Sequence, residues 1–94
     1  MRTYEDLEMG KTEILPVSLR VRALQTGETV SSAAITHTPP SGSPVTMEFS
    51  VETPYINMLL GPFAVAGYHF VMVQAVGSAD PPSKPETLYI IRVR

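Results

Sequence analysis

Nine prolines and six glycines are spread through this 94-residue chain and cut it into short pieces. Proline lacks a backbone donor and glycine bends freely, so such punctuation suits strands joined by turns better than packed helices. Between the breaks, apolar residues recur with a period of two. After Pro16, the residues Val17, Leu19, Val21 and Ala23 alternate with Ser18, Arg20 and Arg22. "VTMEFSVE" (45–52) sets Val45, Met47, Phe49 and Val51 against Thr46, Glu48, Ser50 and Glu52. That period is the mark of half-buried strands.

Further strands are expected over 29–37, 54–62, 66–78 and 87–94, with turns at Gly27, "TPPSGSP", Gly61-Pro62 and "GSADPPSKPE". Six or seven short strands of this spacing predict an all-β, immunoglobulin-like antiparallel sandwich over residues 13–94. Residues 1–12, acidic and without a clear pattern, are expected to form an N-terminal arm, extended or with one helical turn around "YEDLEM". A chain of this size buries roughly 60–65% of its unfolded surface, enough for one thin core.

The balance of charge narrows the partners. Seven basic residues are scattered and the net charge is −2, so neither a nucleic-acid groove nor an anionic membrane patch is expected. No window approaches the ~20 apolar residues of a membrane helix, and the amino-terminal stretch has no secretory apolar core. A protein made and kept in the cytosol is the expectation. With no cysteine, disulfides and thiolate zinc are excluded and the redox compartment is left open.

Candidate chemistry is sparse. His37 and His69 are the only histidines, read as exposed strand-end residues that are not spaced as a local metal pair. Glu48 and Glu52 lie roughly 13 Å apart along one strand face, beyond the ~5–9.5 Å of glycosidase carboxyl pairs. No phosphate loop or calcium loop is present. The chain reads as a non-enzyme without cofactor, metal or small-molecule substrate.

"AGYHFVMVQAVGS" (66–78) is apolar on both of its faces. With Phe70, Met72 and Val76 placed inward, and Tyr89, Ile91 and Val93 inward on the last strand, Val71, Val73, Ala75, Leu88 and Ile90 form an outer patch. Tyr68 has two readings, a corner tie through its hydroxyl or plain core. Lone monomers seldom expose several hundred Å² of such surface, so this patch is the candidate partner-binding site. The partner is another protein or a second copy; the alternatives are coverage by the chain's own arm or "PPSGSP" loop, or a central strand buried on both sides.

"TGETVSSA" (26–33), "VAGYHFVM" (65–72) and "LYIIRV" (88–93) give the chain a layout that resembles small immunoglobulin-like virion proteins of tailed bacteriophages. The resemblance spans roughly residues 13–94, with Val71 and Val73 where threonines are more usual. It implies a non-catalytic particle component, such as a capsid decoration, head-fibre or head–tail joint protein, bound to a major capsid or neck protein. Such a protein is assembled in the host cytoplasm and resides in the virion. The alternative is a bacterial immunoglobulin-like module that binds protein or carbohydrate.

Overall fold

The computed structural model describes residues 2–22 and 24–94; Ala23, assigned above to the inner face of an early strand, lies outside them. Eight strands are present: β1 (Arg2–Met9), β2 (Leu15–Arg20), β3 (Val30–Thr38), β4 (Val45–Thr46), β5 (Ser50–Glu52), β6 (Tyr55–Leu60), β7 (Gly67–Gly77) and β8 (Glu86–Val93). They form a five-stranded sheet, β1-β8-β7-β3-β4, and a three-stranded sheet, β2-β6-β5. This is the two-sheet order of an immunoglobulin-like sandwich, with β3, β7 and β8 as the C, F and G strands and β2, β6 and β5 as B, E and D.

Two elements differ from expectation. The expected arm is instead a strand: Arg2–Met9 runs parallel to β8 from Arg2 opposite Glu86 to Met9 opposite Val93. Its inner positions explain why it stays. Met9 is fully buried, Leu7 packs against the core, and Thr3 shares a 2.8 Å hydroxyl hydrogen bond with Thr87. The five-stranded sheet therefore includes Arg2–Met9 along with the expected residues 13–94. The single strand expected over 45–52 is two: Val45–Thr46 pairs with β3, and Ser50–Glu52 pairs with β6 in the other sheet. The chain crosses between sheets at 47–49, so its alternation serves two different surroundings.

The core is drawn from both sheets. Ile35, Val71, Val73, Tyr89, Ile91 and Val93 from the larger sheet meet Ile56, Met58 and Leu60 from the smaller and Val21 just past β2. Burial of each aliphatic side chain contributes about 1.5–3 kcal/mol gross. Desolvation beside Glu5 pushes the buried Tyr89 hydroxyl up to about 12, so it stays neutral at physiological pH.

Two polar devices fix the phase of β7. At its end, Glu28, just before β3, reaches the connection between β7 and β8. Its Oε1 accepts hydrogen bonds from Gln25 N (2.8 Å) and Ser83 Oγ (2.7 Å), and its Oε2 from Ala79 N (3.0 Å) and Ser83 N (3.2 Å). These donors, that of Gln25 foremost, lower the carboxyl to about 2. The carboxylate lies directly on the Cα of Gly77, where a Cβ would occupy the place of its oxygen. A side chain at this position could enter only by displacing that carboxylate.

At the start of β7, the imidazole of His69 is buried. Its Nε2–H donates to the Val65 carbonyl at 2.7 Å. Nδ1 is therefore the acceptor for the Nε2–H of His37, at 2.8 Å. Both rings lie against Phe63, with centroids 4.7 and 4.8 Å away. A side chain that ties the start of the sixth core strand to backbone a few residues upstream is the work a tyrosine corner does in immunoglobulin domains. Here a histidine does it. Tyr68, the residue considered for that role, points out to solvent.

Candidate docking face

Val71, Val73 and Ala75 do not face outward. They are 0%, 2% and 4% exposed and are covered by the chain's own second sheet. Phe70, Met72 and Val76 take the outer face instead, so the assignment of β7 reverses. The physical reason is Gln74: it belongs to the even set and needs water, and it is exposed. Gly77 and His69, both of the odd set, carry the two inward polar contacts that lock the same phase. Leu88 and Ile90 do lie on the outer face, half-buried, and Tyr89, Ile91 and Val93 lie inward.

The outer face of the five-stranded sheet still gathers apolar side chains, from a different set of residues. Phe70 stands opposite Ile90 and Met72 opposite Leu88 in the β7–β8 ladder. On β1, Tyr4 stands beside Leu88 and Asp6 beside Ile90. On β3, the small Thr38 and Thr36 stand opposite Phe70 and Met72, so nothing on that flank overhangs the rings. Tyr4 is 59% exposed, Tyr68 55% and Phe70 38%. β1 lengthens the sheet beside β8 and does not cross it. The "PPSGSP" loop stays at the sheet end, where Pro40 approaches Gly67. Neither self-covering segment shields this face.

Charged side chains adjoin the apolar quartet, Asp6 beside Ile90 and Arg92 opposite Tyr68. Arg2 pairs with Glu86 at 3.1 Å and Arg94 with Glu8 at 3.6 Å. Gln74 Nε2 donates to the second Glu86 oxygen at 2.8 Å. That amide, and then Arg2, hold the Glu86 carboxyl below its usual value. Apolar side chains ringed by polar and charged ones make this the candidate docking face. At about 25 cal/mol per Å², covering about 300 Å² would contribute about 7.5 kcal/mol before association costs.

The two histidines, read from the sequence as separate and exposed, are in contact, His69 buried and His37 half-buried. Burial, with the His69 ring beside it, lowers His37 below the ordinary imidazole value. No hydroxyl or carboxylate hydrogen-bonds either ring among the described residues. No group of three or more His, Cys, Asp or Glu side chains is placed to hold a metal among those residues.

Among known proteins, no family model and no curated protein matches the chain. Solved structures do. It is similar to InlP of Listeria monocytogenes, with a TM-score of 0.60 and 9% identity over 99% of this chain and 27% of that one. A candidate glycoside hydrolase from Bacteroides vulgatus ATCC 8482 aligns with a TM-score of 0.46 and 11% identity, over 96% of this chain and 16% of that one. The chain thus spans about a quarter of the first protein's length and a sixth of the second's. The likeness to InlP establishes the all-β sandwich fold and nothing further.

Proposed function

We propose that the chain is a non-catalytic structural protein of a tailed-phage particle, docking on the assembled capsid or the head–tail neck through the outer face of its five-stranded sheet. The observation that carries the reading is the in-register quartet Phe70, Ile90, Met72 and Leu88, flanked by Tyr4 and Tyr68 and left open by the rest of the chain. The resemblance of "TGETVSSA", "VAGYHFVM" and "LYIIRV" to phage virion proteins supplies the setting. A particle surface would supply the cover that this apolar patch calls for.

The test is incorporation. A Phe70→Glu, Ile90→Glu double variant is expected to keep the wild-type far-ultraviolet circular dichroism spectrum and to be absent from purified particles. Incorporation at the wild-type level would overturn the docking face. If the wild-type chain itself is missing from the particles, the virion role fails and the bacterial interaction module of the same fold takes its place.

A further inference from the structure

A second surface, on the opposite sheet, combines an apolar cleft with an unpaired piece of strand backbone. One residue past the β2–β6 ladder the Val21 N–H bonds the Pro54 carbonyl at 2.7 Å, which sets the phase of the hydrogen-bonded pairs. From there, alternate pairs down the ladder place Pro16 opposite Leu59 in a non-hydrogen-bonded position. Pro16 has no N–H to lose there. The N–H and C=O of Leu59 therefore point away from β2, toward the β5 side.

β5 does not reach them. Its last pair is Ser50 with Asn57, and the residue that would come next, Glu48, has turned toward the other sheet, where Met47 N bonds the Ile35 carbonyl at 2.9 Å. The crossing leaves a cleft of about 750 Å³ at this point, lined by Met47, Phe49, Met58, Leu59 and Pro16, with Glu48 as its only charged residue. No hydrogen-bond partner meets the Leu59 backbone among the described residues.

We infer that this cleft is a strand-addition site, binding an extended segment of another protein that carries apolar residues on either side of one residue paired with Leu59, and a lysine or arginine toward Glu48. A directed N–H and C=O pair is satisfied by an extended backbone and by little else of peptide size. Residues flanking the paired one share the face of Met58 and enter between Met47 and Met58. The negative Glu48 selects a basic end. The larger sheet offers an internal comparison. Ala75 N bonds Pro85 O and Met47 N bonds Ile35 O, so the N–H and C=O of Ala33 also face an open edge. The residues beside it on β3, Ser32 and Ala34, are small and build no apolar cleft of this kind. Backbone alone should not suffice, so the segment should choose Leu59 over Ala33.

The probe is the peptide acetyl-Lys-Val-Thr-Val-Lys-amide, titrated into the isotope-labelled full chain and followed by amide and methionine-methyl NMR. The expected result is a saturating shift of the Leu59 amide and of the Met47 and Met58 methyls, with slowed hydrogen exchange at Leu59 and the Ala33 amide unmoved. Leu59→Pro deletes the outward N–H and leaves the β2 ladder intact; it should weaken binding about fivefold, the loss of one backbone hydrogen bond. Glu48→Lys should weaken it too, and that loss should shrink in high salt. A Leu59 amide already protected in the free chain overturns the inference without any mutant. So does a Leu59 resonance that stays still up to about 10 mM peptide, or shifts that fall on Ala33 or on the Phe70 face instead. Concentration-dependent shifts at Leu59 without peptide would make the occupant a second copy and also overturn it.

Discussion

Val71 and Phe70 are chain neighbours on opposite faces of one strand, and the same substitution at each should have very different consequences. Val71→Glu puts a carboxyl where a side chain is 0% exposed between the two sheets. Keeping that carboxyl neutral at pH 7 costs about 3.7 kcal/mol, from about 2.7 pH units above the ordinary glutamate value at 1.36 kcal/mol each. An unmet polar group adds about 1–3 kcal/mol, and the lost valine burial about 1.5 kcal/mol or more. The sum, about 6–8 kcal/mol, rivals the whole stability of about 5–14 kcal/mol for a domain of this length. Phe70→Glu loses a cross-strand contact with Ile90 and some strand preference, about 1–2 kcal/mol together. Urea titrations followed by circular dichroism should show the first variant unfolded or nearly so without denaturant, and the second with a modestly lowered midpoint. Equal midpoints, or Phe70→Glu as the more damaged protein, would refute the assignment of faces.

Acid titration should expose the Glu28 clasp. Its folded value of about 2 lies below its unfolded value near 4.5, so the stability it confers is whole above pH 4.5 and fades as pH falls toward 2. Glu28→Gln should flatten that part of a stability-against-pH curve. Gly77→Ala should expel the Glu28 carboxylate, and a Glu28→Ala, Gly77→Ala pair should cost less than the two single changes added, as measured by a double-mutant cycle in urea. His37 is also lowered in the folded state, so its contribution is present above pH 6.5 and diminishes as pH drops below it; His37→Gln should remove that slope from the urea midpoints.

Much of the fold was legible because alternation marks strands wherever one face is wet. Val17, Leu19 and Val21 in the run from Pro16, and Tyr89, Ile91 and Val93 at the end, are inward as the period requires. The rule fails where both faces are apolar. In β7 the decisive residue is Gln74, one amide among seven apolar or aromatic neighbours, and it sits in the set that hydropathy alone places inside. The outer apolar face was therefore half legible. Leu88 and Ile90 lie on it as the period requires, whereas Phe70 and Met72 were hidden behind the choice of phase. Tyr4 was missed for another reason. The alternation Thr3, Leu7, Met9 against Tyr4, Asp6, Glu8 is diluted by Glu5, which lies on the inner face at the exposed sheet edge opposite Tyr89. The histidine pair needed tertiary information, since 32 residues of chain separate two rings that the β3–β7 register brings together.

Electron cryomicroscopy of purified phage particles whose genome encodes this sequence tests the central claim most directly. The expected density shows the chain seated on a capsid or neck subunit with Phe70, Met72, Leu88 and Ile90 buried at the contact. Density that presents this face to solvent, with the chain attached elsewhere, would contradict it.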